Sequence, residues 1–548
     1  MQNLVRRVKC DEGKPLCTRC TSTGRKCDGY AQDASSNSQS LAVSQLSIFK
    51  NTVPMHSGLG NNVIYLEFYH HRAGAKSLST DGFDQEFWSR IVLQMAQSEA
   101  SVKHALVALA YLQKTEPGDI KHARSGGSIE SRKTLLFHYN KAVRSLVNRM
   151  AEASYSIETG LVTCLIFVCI EFLRGDYFTA FSHLHSGLKI IGEWESLQDR
   201  LSPSSSTSLE ITNLASNTRM IANKIAPIYV RALAMALLFG APFEPLMDRF
   251  CPRPQSLKIQ PFSSIREAQH ICYDMRNASV IMISVIFRTL KDGNRLTTEI
   301  IHDHAHLLGC HESWLQALES LEQERRLSKE DSVIASSLRV STYATYISLA
   351  CLPQPSQVAY DSHTAMFKSL NHHAKIVIDS MNLPTPASPS TTLDSPSSYD
   401  SSEISIQSPE GTSKTSAHFT FEISVIPCLY IGVTKCRCPT TRRESLALLE
   451  KNPPREALWD AKQHAMVGKR VIEIEERELD PETGMPIPEN RLLIAIISGQ
   501  MDENGGFWAT YASVGWVMRG CDPQDPKRHR GDRVPVRSDS EWDEWLVM

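Results

Sequence analysis

The chain has 548 residues, 42% hydrophobic and 22% charged, with a net charge of −2 and a mean hydropathy of −0.24. That is about three or four domains' worth of chain, with enough apolar residues for a sizeable buried core. Its 14 cysteines lie, past the first 30 residues, singly or in apolar runs such as Cys164 and Cys169, which excludes a disulfide framework and suits reduced core residues of an intracellular protein. No secretory signal is legible, the run Leu161–Ile170 is too short for a bilayer, and Ala226–Ala241 carries Arg231, so neither secretion nor a membrane partner is expected.

The first element in chain order is a cysteine segment, Cys10-x6-Cys17-x2-Cys20-x6-Cys27. Basic residues frame it, with Arg6, Arg7 and Lys9 before the first cysteine and Arg25 and Lys26 before the last. Zinc favours four ligands in a tetrahedron, and thiolates suit it. Two residues between cysteines let both sulfurs reach one ion from a tight turn. Cys17 and Cys20 alone would also suit a redox dithiol, but that needs a strand before and a long helix after, and neither is legible. Residues 1–30 hold seven Lys or Arg against three Asp or Glu, a net of +4 within a chain of −2. The basic charge is therefore concentrated where nucleic acid would sit.

Arg6 to Tyr30 resembles the DNA-binding segment of the fungal binuclear zinc cluster transcription factors. That family carries C-x2-C-x6-C, a short loop that usually contains proline, and C-x2-C-x6-C again. The loop here is Asp11-Glu12-Gly13-Lys14-Pro15-Leu16, and the second half is complete as Cys17, Cys20 and Cys27. The first half keeps Cys10 alone. Counting back, its second cysteine falls on Asn3 and its first before Met1. The expectation is a misplaced start with the first half encoded upstream; genuine loss of the DNA-binding head is the competing explanation. The resemblance implies six thiolates holding two zinc ions. The four present would hold at most one, either because Cys10 swings over to close a single site or because water takes the vacancy. It also implies a short helix in the major groove reading a CGG-type triplet. Arg7 is the expected base reader, since a guanidinium bonds guanine O6 and N7 together. Arg6, Lys9, Lys14, Arg25 and Lys26 are expected on phosphates, which fix register.

Residues 31–60 are rich in Ser, Asn and Gln and read as a linker. Leu41, Leu46 and Phe49 give no sustained heptads, so any homodimer is expected through the large domain. From residue 61 the pattern is helical. Val102, Leu106 and Leu109 mark one face; Leu135, Tyr139, Val143, Leu146 and Met150 mark another. Leu161 to Leu173 is apolar nearly all round and predicts a central buried helix. After the break at Arg174-Gly175-Asp176 comes a helix with Phe181, Leu184, Leu188 and Ile191 on one side. This succession, with phrases such as His185-Ser186-Gly187-Leu188, resembles the large regulatory domain of the same family. Ser202–Ser208 is a short loop. Pro384–Ser416 is a Ser/Thr/Pro tract that cannot form a core, with four Ser-Pro or Thr-Pro sites for proline-directed phosphorylation or a plain spacer role. Trp508, Trp516, Trp542 and Trp545 are expected in terminal docking contacts, with an acidic-aromatic activation patch at Glu541–Leu546 as the alternative. Lys527-Arg528-His529-Arg530 is either a nuclear import signal or a solvated basic loop.

Catalysis is not expected. No Walker loop, dinucleotide turn or GxSxG elbow is present. His302-Asp303-His304-Ala305-His306, with Cys310 and His311, has the residue types of a metal site but no HExxH spacing, and a solvated surface competes with it. Cys436-Arg437-Cys438 stands isolated. The expected fold is mainly α. A zinc module at 1–30 and a linker at 31–60 precede an all-helical regulatory domain at 61–383. A disordered tract at 384–416 and a helical continuation at 417–548 follow. The expected function is a nuclear, zinc-dependent, sequence-specific regulator of RNA polymerase II transcription, with promoter DNA and co-regulators as partners. The alternative is a regulator without DNA binding that acts through its helical domain.

Overall fold

The computed structural model describes residues 2–3, 8–9, 62–70, 82–125, 129–200, 220–239, 247–352, 357–381, 383, 419–513 and 541–548. The chain divides into two units, Met1–Leu59 and Gly60–Met548. In the first, Gln2–Asn3 pairs antiparallel with Val8–Lys9. A reading helix is the expectation over this segment. At Val8–Lys9 the backbone is extended instead, the conformation that β-branched Val8 favours.

The second unit is mainly α. Its first layer packs α1 (Asn62–Phe68), α2 (Val92–Ser98), α3 (Ala100–Thr115), α4 (Ile120–Ser125), α5 (Ile129–Met150), α6 (Ile157–Arg174) and α7 (Tyr177–Arg200). Helices α3 and α6 are buried almost all round, which places the core between them. The predicted break after α6 is a double cap. Gly175 takes a left-handed φ of 71°, its N–H donates to Phe172 O and that of Asp176 to Glu171 O. Asp176 then caps α7 by accepting from Thr179 N at 3.2 Å. Helix α8 (Ala226–Leu238) crosses α7 closely. A Cβ on Gly187 would lie 2.1 Å from the Tyr229 ring, whose hydroxyl donates to Leu161 O at 2.9 Å. The stretch Ile221–Leu238 is long and apolar enough to cross a membrane by length and composition, and here it packs against α7 and the core.

The apolar face of α5 is rotated from its expected position. Leu135 is buried, but Val143 and Met150 are exposed, and His138 and Ala142 point inward instead. His138 stacks on His104 of α3 with ring centroids 5.6 Å apart. A histidine pair in the core is invisible to a count of apolar residues.

Helices α9 (Ile265–Lys291), α10 (Thr298–Glu324) and α11 (Lys329–Cys351) enclose a second core around Trp314. Each begins with a hydroxyl N-cap, from Ser264, Thr297 and Ser328, that accepts a backbone N–H three residues on. Helix α12 (Thr364–Ser380) leads, past the undescribed tract, to α13 (Ile426–Lys435), α14 (Pro439–Glu450) and α15 (Ala461–Glu475). Strand β1 (Phe419–Thr420) pairs in parallel with β2 (Arg455–Glu456). Arg455 donates from β2 to Phe172 O and Leu173 O, covering the carbonyl end of α6 across 282 and 283 residues of sequence. Arg437 and Arg442, fully buried, share Glu475 at 2.8 and 2.9 Å and so tie the α13–α14 link and α14 to the end of α15.

The expectation of helix up to residue 548 is corrected at the end. Three strands, β3 (Leu492–Met501), β4 (Gly506–Ser513) and β5 (Glu541–Val547), form an antiparallel sheet in the order β3-β4-β5. Alternating Ile494 and Ile496 suit a pleated strand, and Asn504-Gly505 supplies the turn, with Gly505 at φ 84°. Glu541–Leu546 is therefore strand, with Trp542 stacked on Tyr511 and Trp545 set edge-on to Trp508. The expected linker 31–60, the loop 202–208, the tract 384–416, Trp516 and Lys527–Arg530 lie outside the described residues.

Candidate functional site

The expected DNA-binding head lies almost wholly outside the described residues, with Cys10, Cys17, Cys20, Cys27, Arg6, Arg7, Lys14, Arg25 and Lys26 all among the undescribed. Lys9 contributes its backbone to the short strand pair. What bears on the metal there is the donor set. Four thiolates are a soft set that fits one tetrahedral zinc ion, and they are two short of the six that the resemblance implies for two ions.

The histidine cluster on α10 disperses. His302 Nδ1 lies 3.0 Å from Gln255 Nε2, His304 Nε2 donates to Leu349 O at 2.9 Å, and His306 Nε2 donates to Leu257 O at 3.1 Å. The three histidines thus hold two segments against one helix, the stretch Gln255–Leu257 by His302 and His306 and the end of α11 by His304. His311 is fully buried 2.9 Å from Ser279 Oγ, and burial pushes its pKa down to about 3, so it stays neutral. Among the described residues no group of three or more His, Cys, Asp or Glu is placed to hold a metal. Helical spacing explains this, since residues two apart on a helix diverge.

A set of aromatic rings converges where the sequence gives no hint of a site. Tyr430 of α13, Trp459 ahead of α15, His464 of α15 and Phe239 beyond α8 meet, with centroids 4.7 Å apart for Trp459–His464, 4.9 Å for Tyr430–His464 and 5.4 Å for Phe239–Trp459. The Tyr430 hydroxyl is spent on Ala495 O at 2.8 Å. His464 Nδ1 donates to Asp460 O at 2.7 Å, and burial lowers the ring's pKa to about 4. Tyr430, Trp459 and His464 come from one stretch of the chain and Phe239 from a segment far upstream, so no local motif could have announced the full set.

The fungal specific transcription factor domain matches residues 65–376, more than half of the chain. The chain belongs to this family. The fungal Zn(2)-Cys(6) binuclear cluster domain matches residues 5–37, so both segments that carried the resemblance are matched. As a fungal transcription factor of this type, the chain is 28% identical over 213 residues to the aspercryptin biosynthesis cluster-specific transcription regulator atnN of Emericella nidulans, covering 34% of this chain and 33% of that one. It is 26% identical over 214 residues to the transcription regulator lscL of Purpureocillium lilacinum, covering 35% and 48%. A 29-residue stretch is 59% identical to the transcriptional regulatory protein moc3 of Schizosaccharomyces pombe, covering 5% of this chain and 6% of that protein. The chain thus spans a third to a half of the length of the first two relatives. No solved structure matches it.

Proposed function

We propose that this fungal transcription factor is a nuclear, zinc-dependent regulator of RNA polymerase II transcription that reads CGG-type triplets in promoter DNA. One observation carries the reading: a zinc cluster match at 5–37 and a fungal transcription factor match at 65–376 stand in one chain. Cys10, Cys17, Cys20 and Cys27 would hold one zinc ion, which supplies folding free energy on the order of 10 kcal/mol to a closed structural site. Arg7 reads guanine, and Arg6, Lys9, Lys14, Arg25 and Lys26 neutralise phosphates. The linker at 31–60 joins this head to a regulatory body at 61–383, with the tract at 384–416 and the segment at 417–548 beyond it. That body meets co-regulators and, where a homodimer forms, the second copy.

The test is a binding titration of the full chain on a CGG-bearing duplex and on a scrambled one, with metal content measured on the same sample. The expected result is one zinc per chain, preference for the CGG duplex, and loss of binding on chelation. Arg7→Ala should remove about 1–3 kcal/mol of that discrimination. Equal affinity for both duplexes, unmoved by chelator and by Arg7→Ala, would defeat this reading and leave a regulator acting through its helical body.

A further inference from the structure

The rotation of α5 turns an apolar row outward. His138 and Ala142 take its core positions, and Leu136, Val143, Val147 and Met150 face away, each between 37% and 60% exposed. At about 100° of turn per residue, these four fall within an arc of about 60°. They form one stripe roughly 21 Å long, close to four turns of helix. Single exposed apolar residues are ordinary on a protein surface. An aligned row of them on one helix marks an interaction site.

The two flanks of the stripe differ. On one side stand Phe137, Lys141 and Arg144, all exposed, with Lys141 Nζ 5.7 Å from the centre of the Phe137 ring. From Ser131 to Met150 the helix carries five basic residues (Arg132, Lys133, Lys141, Arg144 and Arg149) and no acidic one. Arg149 is spent on Glu99 and Glu152, whereas Lys141 and Arg144 border the stripe. On the other side Tyr139 and Leu146 are partly buried, and Tyr139 Oη lies 3.4 Å from His183 Nε2 of α7. An apolar row edged by cations complements a helix with its own apolar row edged by carboxylates. A second copy of α5 is a poor match. Two-fold pairing across Val143 would set the two copies' Arg144 guanidinium groups against each other, and like charges repel. A bilayer is a poor match too, because the helix has no Trp and its apolar side chains are already half covered, which leaves little depth for insertion.

We propose that the outer face of α5 docks an acidic amphipathic helix of a partner protein. The partner's apolar row covers Leu136, Val143, Val147 and Met150, and its carboxylates meet Lys141 and Arg144. One helix laid along four turns is a small contact, of the weak and reversible kind. The inference deepens the reading of the body as the part that meets co-regulators, and it stands apart from how the head reads DNA.

The experiment is a fluorescence-anisotropy titration of the full chain with a labelled helical peptide of about 18 residues, five turns, bearing a leucine row edged by glutamates. A second peptide has lysine at every glutamate position, and phosphatidylserine vesicles present a bilayer. The expected result is saturable binding of the glutamate peptide, about tenfold tighter than that of the lysine peptide. Val147→Ser should weaken it about five- to tenfold by removing apolar contact, and Val147→Leu should preserve it. Arg144→Glu should weaken the glutamate peptide about three- to tenfold and strengthen the lysine peptide. Melting temperatures near that of the parent confirm that the variants fold. Titrations with the CGG duplex, run without peptide, keep the two readings separable: peptide binding without duplex preference upholds the docking face and defeats the DNA reading alone. No saturable peptide binding, equal binding of both peptides, or indifference to Val147→Ser and Arg144→Glu would overturn the proposal. Vesicle binding lost on Val147→Ser would give the face to a bilayer, and a dimer dissolved by the same substitution would give it to a second copy; either result overturns it as well.

Discussion

Two buried glutamates show how one residue type is set to opposite tasks by its neighbours. Burial opposes ionisation of Glu475, but Arg437, Arg442 and the Leu492 N–H outweigh it and hold the carboxyl below its usual range. Glu456 is equally buried, and among the described residues no cation pairs with it. Its oxygens accept the N–H groups of Ser424, Val425 and Ile426 at 2.8, 2.9 and 3.2 Å at the start of α13. Burial nevertheless wins and pushes its pKa up to about 7 from 4.5. Between pH 4.5 and 7 the folded chain then binds a proton that the unfolded chain has released. By linkage, this glutamate's stabilising contribution is complete below pH 4.5 and is lost as pH rises through 7. Denaturant melts at several pH values, for the parent and for Glu456→Gln, isolate this one group from the other acids. The parent should lose stability relative to the variant as pH climbs across that window. A difference that is flat with pH, or that grows the other way, would show that the three backbone donors keep Glu456 ionised.

At the scale of elements, the contact of α7 with α8 rests on Gly187. In an ordinary helix interior, Gly→Ala stabilises by about 0.8–1.0 kcal/mol. At Gly187 the added methyl would meet the Tyr229 ring 2.1 Å away. Overpacking of that kind costs about 1–3 kcal/mol. Gly309 on α10 has nothing within 4 Å of an added Cβ and serves as the control. Gly187→Ala should lower the melting temperature and Gly309→Ala should raise it; a shift of the same sign in both would refute the close crossing. The break between α6 and α7 was legible because Gly175 and Asp176 are the residues that end and start helices. The buried character of α6 was legible from its apolar run. The face of α5 was not, because His104 and His138 fill core positions that hydrophobic periodicity skips. The final sheet carried a readable signal, Asn504-Gly505 between alternating apolar residues, that a helical expectation passed over. The aromatic cluster had none, since Phe239, Tyr430, Trp459 and His464 meet only through the tertiary fold.

Across the whole molecule, the basic charge is concentrated at one end. Residues 1–30 carry a net of +4, whereas the full chain carries −2. The remainder is therefore acidic on balance and repels a phosphate backbone, which confines the proposed contact to the head. That confinement makes the salt dependence countable. With five phosphate ligands, Arg6, Lys9, Lys14, Arg25 and Lys26, the slope of log affinity against log salt should be about −4.5, or roughly a 500-fold loss between 50 and 200 mM. Lys14→Ala should shallow that slope by about one and weaken all duplexes alike. Arg7→Ala, by contrast, should act on the CGG duplex above all. The two substitutions separate positioning from reading because they differ in what they leave intact, and titrations at four salt concentrations suffice to tell them apart. A slope much steeper than about −5 would mean that the acidic body also lies on DNA through a basic surface. A slope near zero would remove the phosphate contacts altogether, and with them the physical basis for assigning this end of the chain to DNA.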